Sequence, residues 1–121
     1  MPKLTLNKKQ KLFLFTEILD KESLVKIFET TDLKWLCSRK VVLGDYDDYG
    51  WRPLFVDGDE MTSLNFFNNP GWDEILNNID DYEMCQWCNE WCHRDEMVFR
   101  KRGFTKLCDR CDRYLKSRGE L

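Results

Sequence analysis

The sequence predicts an α+β chain: a small, mainly helical N-terminal part with a short hairpin over residues 1–80, followed by a cysteine-rich module over residues 81–121. Three observations predict it. Apolar residues recur at helical spacing through much of residues 7–79, a two-residue Asp57-Gly58 turn separates strand-like runs, and five of the six cysteines fall after residue 84. The length agrees, because 121 residues suit one domain, or a domain of about 80 residues joined to a module too small to bury its own core. With 42% apolar and 14% aromatic residues the chain has the material for a real core.

Taken in order, Asn7 to Leu19 reads as a helix with Leu12, Phe15, Ile18 and Leu19 on one face. Asp20 is placed to cap a second helix carrying Leu24, Ile27 and Phe28, although the pattern also allows the two to run on as one. Thr30 or Thr31 then caps a third, short helix with Leu33, Leu36 and Cys37 on its apolar stripe. Cys37 there reads as a buried core thiol.

Val41 to Leu43 is a short strand, residues 44–50 have loop composition, and Trp51 to Val56 is a strand that Pro53 assigns to an edge. The Asp57-Gly58 turn returns the chain as a hairpin through Met61 to Phe67, with a helix capped by Thr62 as the alternative. Asn69 as cap, Pro70 at the first helical position, and Asp73 and Glu74 in the first turn open a last helix. It turns Trp72, Ile75, Leu76 and Ile79 toward the earlier helices. Asp80 to Glu83 marks the junction.

The second part is organised by Cys85-Gln86-Trp87-Cys88 and Cys108-Asp109-Arg110-Cys111, separated by nineteen residues. Each Cys-x-x-Cys turn sets two sulfurs on one side of a tight knuckle, and two knuckles present four thiolates to one Zn2+ at about 2.3 Å. Such a shell has no open corner for substrate water, which argues for one structural zinc and a scaffold. The run Leu12 to Phe15 is too short for a signal sequence and nothing approaches a membrane span. A reducing cytoplasm, of the producing or host cell, is therefore expected, where paired cysteines are metal ligands more often than disulfides.

Met97 to Arg100 and Phe104 to Leu107 are strand candidates around an Arg102-Gly103 turn. Cys111, Tyr114, Leu115 and Arg118 fall at helical spacing after it, so Cys108 and Cys111 sit at a helix start where free N–H groups favour thiolate. This order of knuckle, hairpin and helix, with Cys85-x-x-Cys88, Phe99, Arg100-Lys101-Arg102-Gly103 and Cys108-Asp109-Arg110-Cys111-Asp112-Arg113-Tyr114, resembles the small treble-clef four-cysteine zinc fingers of phage and bacterial proteins. The resemblance covers residues 85–118 and implies a treble-clef-like fold for them, not a task. Cys92 and His93 lie close behind the first knuckle, either as an alternate ligand or as neighbours of one, while paired spacing favours the plain quartet.

Charge is unevenly placed. Residues 45–60 hold Asp45, Asp47, Asp48, Asp57, Asp59 and Glu60 against Arg52 alone, without the order of a calcium-binding EF-hand loop. Residues 94–118 carry nine basic side chains against four acidic ones, including Arg100, Lys101 and Arg102 at a hairpin tip and Arg110, Arg113 and Lys116 on the final helix. The reading that combines these is a non-enzymatic zinc-binding protein, of a kind phages encode. Its acidic residues engage a protein partner, and it acts as an inhibitor or regulator of a nucleic-acid-handling enzyme. The alternative is a zinc finger that binds nucleic acid directly through those six basic residues. An HNH-like nuclease using His93 is a minor alternative, disfavoured because the chain has one histidine and no Asp-His pair before the hairpin. No catalytic residue, small-molecule substrate or membrane is expected.

Overall fold

The N-terminal half of the chain opens with a two-residue strand, β1 (Leu4–Thr5), and the helix α1 (Lys8–Phe13). These come from a computed structural model that describes residues 3–120, in two units dividing between Asn77 and Asn78. Asn7 starts α1 through a reciprocal capping box. Its Oδ1 accepts from the Gln10 N–H at 2.8 Å, and Gln10 Oε1 accepts from the Asn7 N–H at 2.9 Å. The helix continues as a π-helical segment, Leu14–Ile18, closed by the Leu19 N–H donating to the Leu14 carbonyl at 2.9 Å. That wider turn shifts the buried stripe. Phe13, Leu14 and Phe15 are all buried in succession, while Leu12 and Ile18 are only half-buried. Gln10 is buried too, its amide donating to the Leu76 carbonyl at 2.7 Å.

Leu19 is extended, so α2 (Lys21–Phe28) is a separate helix, capped by Asp20 Oδ1 accepting from Ser23 N–H at 2.7 Å. The next helix, α3 (Leu33–Ser38), corrects the expected cap. Asp32 occupies it and accepts from the Lys34 and Trp35 N–H groups, whereas Thr30 accepts from Asp32 N–H one step earlier. A carboxylate is the stronger acceptor for helix N–H groups, and the hydroxyl takes the lesser role. Cys37 is half-buried on α3, not a fully enclosed core thiol.

Three further strands, β2 (Val41–Leu43), β3 (Trp51–Val56) and β4 (Asp59–Asn65), complete an antiparallel sheet in the order β1-β2-β3-β4. Asp57 and Gly58 have φ of 52° and 89°, the two positive values of a type I′ hairpin turn. Asp59 to Asn65 is therefore strand, not the helix Thr62 would have capped. Arg52, Leu54 and Val56 face the core, where they meet Leu43 and Leu64 across the ladder. The register slips between Leu54 and Phe55. Leu54 faces Thr62 and Phe55 faces Glu60, so Met61 has no residue opposite it.

Pro53 lies on an inner strand, not an edge. It is tolerated there because β2 ends at Leu43, opposite Leu54, and Pro53 stands one step beyond. Gly44 N–H donates to the Pro53 carbonyl at 2.8 Å, and the return bond that proline cannot give is supplied to the Gly44 carbonyl by Arg52 Nε at 2.7 Å. Gly44 is required at this crossing, since a Cβ on it would stand 2.5 Å from Pro53 Cγ. The unit closes with α4 (Pro70–Asn77), whose Leu76 is buried; Ile79 falls beyond it in a 3-10 turn, Ile79–Asp81.

The second unit is built from pairs of three-residue strands and one helix. β5 (Tyr82–Met84) pairs with β6 (Trp91–His93), and β7 (Met97–Phe99) pairs with β8 (Lys106–Cys108), both antiparallel. The helix α5 (Asp109–Ser117) follows β8 without a gap, with Cys108 as its N-cap. Among the described residues no helix is long and apolar enough to cross a membrane.

Candidate metal centre

β5 and β6 are the arms of the first knuckle. Cys85 N–H donates to the Glu90 carbonyl and Asn89 N–H to the Cys85 carbonyl, both at 2.9 Å, with Asn89 in the left-handed region at φ 62° that such a tight turn needs. Gln86 ties the knuckle to β8: its N–H donates to the Lys106 carbonyl at 2.9 Å, and its Oε1 accepts from Lys106 N–H at 3.2 Å. Cys108 and Cys111 come from the end of β8 and the first turn of α5. The sequence spacing alone made this half of the site legible.

The four Sγ atoms of Cys85, Cys88, Cys108 and Cys111 all lie within 4.8 Å of one another, and those of Cys88 and Cys108 are 3.9 Å apart. A tetrahedron with metal–sulfur bonds of about 2.3 Å has edges of about 3.8 Å, so the cluster has the size of a metal shell. Cys85, Cys108 and Cys111 are buried against Met97, Leu107 and Leu115, with Cys92 and Phe104 packed on the same cluster. The four cysteines are positioned to hold a metal ion in a zinc-finger-like module.

The electrostatics explain why a cation belongs there. Burial opposes ionisation of Cys85, but the backbone N–H groups of Cys108, Cys88 and Trp87 outweigh it and bring that thiol down to about 7. Burial, with the crowding of neighbouring sulfurs, pushes Cys88 and Cys111 up instead. One thiolate forms readily and its neighbours resist. A divalent cation at the centre reverses that balance, stabilising all four charges at once.

Cys92 stands against the cluster but outside the quartet, and burial together with the Cys108 and Cys88 charges pushes it up to about 11. His93 is also outside the quartet: its Nδ1 accepts from Asp95 N–H at 3.1 Å, and its ring meets Tyr82 edge-on at 5.4 Å.

The acidic residues do not form one patch. Asp45, Asp47 and Asp48 precede β3 and Asp57, Asp59 and Glu60 follow it, at opposite ends of a six-residue strand, a separation of about 20 Å. Asp47 and Asp57 also have structural work: Asp47 Oδ1 accepts from Tyr49 and Trp51 N–H at 2.8 and 2.9 Å, and Asp57 accepts from Lys40 N–H and pairs with Arg39 at 3.5 Å.

The basic residues divide similarly. Arg100 is paired with the buried Asp112, which also takes Lys116 at 3.4 Å, and Arg110 donates to Glu90 at 2.9 Å. Lys101, Arg102 and Arg113 are exposed. Asp112 is a counter-charge the sequence already offers, four residues before Lys116, whereas sequence reasoning missed Glu90, which lies twenty positions before Arg110. It also missed the ring cluster of Trp87 with Phe104 at 5.6 Å and Tyr114 at 6.5 Å, which the sequence scatters over 28 positions. No family description, curated protein or solved structure matches the chain.

Proposed function

We propose that the chain is a non-enzymatic zinc-binding protein that acts by engaging a protein partner, with its C-terminal unit a treble-clef-type module held by one structural zinc. The observation that carries this reading is the closed set of four sulfurs within 4.8 Å. An all-thiolate tetrahedron selects soft, d10 zinc over oxygen-seeking calcium or magnesium and leaves no coordination position for substrate. Zinc in this shell supplies folding energy, and Cys85, Cys88, Cys108 and Cys111 would hold it.

A protein partner is favoured over nucleic acid by the pairing of the basic side chains. Arg100, Arg110 and Lys116 already answer carboxylates, and a four-thiolate zinc centre itself carries a net charge of about minus two. What remains for phosphate is Lys101, Arg102 and Arg113, a small grip. A regulator or inhibitor of a nucleic-acid-handling enzyme is the class we assign, because such enzymes expose basic channels that an acidic chain, net charge −3, complements.

Metal analysis of native protein, joined to affinity capture from the producing cells with and without nuclease treatment, tests the reading. One zinc per chain and a protein that stays bound after nuclease treatment are expected. Recovery of nucleic acid alone would instead make this a nucleic-acid-binding finger.

A further inference from the structure

Three large rings are exposed near the end of the sheet where β3 begins. Tyr49 is 77% exposed, Phe67 60% and Trp51 44%, in a protein whose other big side chains at this end, Phe66 and Leu64, are buried. The backbone brings the positions that carry them close together. Gly50 has φ +89°, and a Cβ there would lie 2.2 Å from Phe67 Cγ, so Phe67 packs directly over the glycine that separates Tyr49 from Trp51. The ladder fixes the same closeness from the backbone: Trp51 is opposite Asn65, Phe66 N–H donates to the Gly50 carbonyl at 2.9 Å, and Asn65 Nδ2 donates to the Tyr49 carbonyl at 3.3 Å. Phe67 also stacks on Tyr46 at 5.6 Å.

This surface is ordered and negative. Asp47 pins the loop by accepting from the Tyr49 and Trp51 N–H groups, Asp48 is exposed next to Tyr49, and Asp45, also exposed, accepts from the Tyr46 N–H at 2.8 Å. One nearby cation, Arg52, is turned inward. Its guanidinium lies over Tyr46 and Phe66 at 4.7 and 5.3 Å and is paired with Asp73 at 3.5 Å. Electron-rich ring faces beside carboxylates attract guanidinium and ammonium groups and repel phosphate. Exposed aromatic residues are the usual anchors of a protein interface.

We infer that Tyr49, Trp51 and Phe67, with Asp45 and Asp48, form a docking platform for a basic, arginine- or lysine-rich segment of a protein partner. The inference rests on the protein-binding reading above and names its surface and the chemistry of its occupant. Because Asp47 orders the loop beforehand, docking loses little loop entropy. Tyr49→Ser and Asp48→Asn are clean probes, since both side chains point into solvent and Phe67 and Asp47 are left to hold the fold.

The test uses the full zinc-loaded chain and two labelled decapeptides, one alternating Arg with Leu and one alternating Glu with Leu, followed by fluorescence anisotropy and tryptophan emission. The Arg-Leu peptide is expected to bind and the Glu-Leu peptide not. Tyr49→Ser should weaken binding by about fivefold or more, and Asp48→Asn by about twofold to fivefold at low salt and less at high salt. Failure of wild type to bind the basic peptide, equal binding of both peptides, or affinity unchanged in both variants overturns the platform. Lysate capture with the same variants separates the two readings: a nuclease-resistant protein partner retained equally by wild type and variants rejects the platform alone, whereas no protein partner for wild type rejects the protein-binding reading itself.

Discussion

Arg52 Nε donates to the Gly44 carbonyl at 2.7 Å, completing from a side chain the ladder bond that Pro53 cannot make. The same guanidinium pairs with Asp73 on α4 and lies over the rings of Tyr46 and Phe66. One buried cation thereby joins a loop, a strand, a helix and two rings. Its removal orphans a carbonyl and takes the counter-charge from a partly buried carboxylate, which keeps only its hydrogen bond from Tyr46.

Arg52→Met, which keeps the length of the stem, is therefore expected to destabilise the chain by about 3 kcal/mol in urea unfolding. Adding Asp73→Asn should return part of that loss, because the double variant no longer leaves a carboxylate without its counter-charge. A single-variant loss under about 0.5 kcal/mol would show that the pairing is incidental.

Tyr46 gives a prediction at alkaline pH. Burial, and then its hydrogen bond to Asp73, raise its pKa above the ordinary 10.0, so the folded chain keeps this proton longer than the unfolded chain does. The stability it contributes is complete below pH 10.0 and is lost as pH climbs through the raised value. At pH 8 the wild type should exceed Tyr46→Phe by about 1 kcal/mol. The gap should narrow above about pH 10; a gap that stays constant to about pH 11.5 would contradict the assignment.

Metal removal and ligand substitution should separate the cysteines into three kinds. Cys108→Ser abolishes zinc retention and melts residues 78–121, as does a strong chelator or acid that protonates the thiolates. Cys92→Ser keeps one zinc per chain and the four-sulfur absorption of the cobalt-substituted protein, because Cys92 is outside the quartet. Cys37→Ser costs about 1 kcal/mol and leaves metal content unchanged. Loss of metal from Cys92→Ser would redraw the ligand set.

The basic residues should also behave unequally. Arg100→Glu faces Asp112, which is buried on α5, and should unfold the module whatever the partner is. Reversing Lys101, Arg102 and Arg113 together should leave the fold intact, as read by circular dichroism, and leave protein capture unchanged. If oligonucleotide binding occurs, its log-log salt slope should flatten by about 0.9 for each duplex phosphate that the variant no longer neutralises. Loss of protein capture in that triple variant would move the interface to the zinc module.

Features set by near neighbours are legible in the sequence itself. Asp20 caps the helix its position suggests, Asp57-Gly58 makes the type I′ turn, and the two Cys-x-x-Cys pairs converge. What escaped depends on distant partners. Nothing near Leu4 indicates that it pairs with Leu43, and nothing near Pro53 reveals that Arg52 will complete its ladder. Leu14–Ile18 adopts a π-helix although its composition suits an ordinary one, because tertiary packing sets which side chains turn inward. Charge counted along a line does not show its partners: an intervening strand splits the acidic run, and Glu90 and Asp112 answer half of the basic residues named on the hairpin and helix.

The slipped register opposite Met61 has a consequence for crowded solutions. β4 is the outermost strand of its sheet, and an uninterrupted outer strand offers a template on which another chain can grow by backbone pairing. Here the slip breaks that template at Met61, and Asp59 and Glu60 put like charges on the stretch beyond it. Toward the other end, Asn69 Nδ2 already holds the Asn65 carbonyl at 3.2 Å. An incoming strand finds regular, unclaimed backbone only from Thr62 to Leu64, too short a run to seed a fibril.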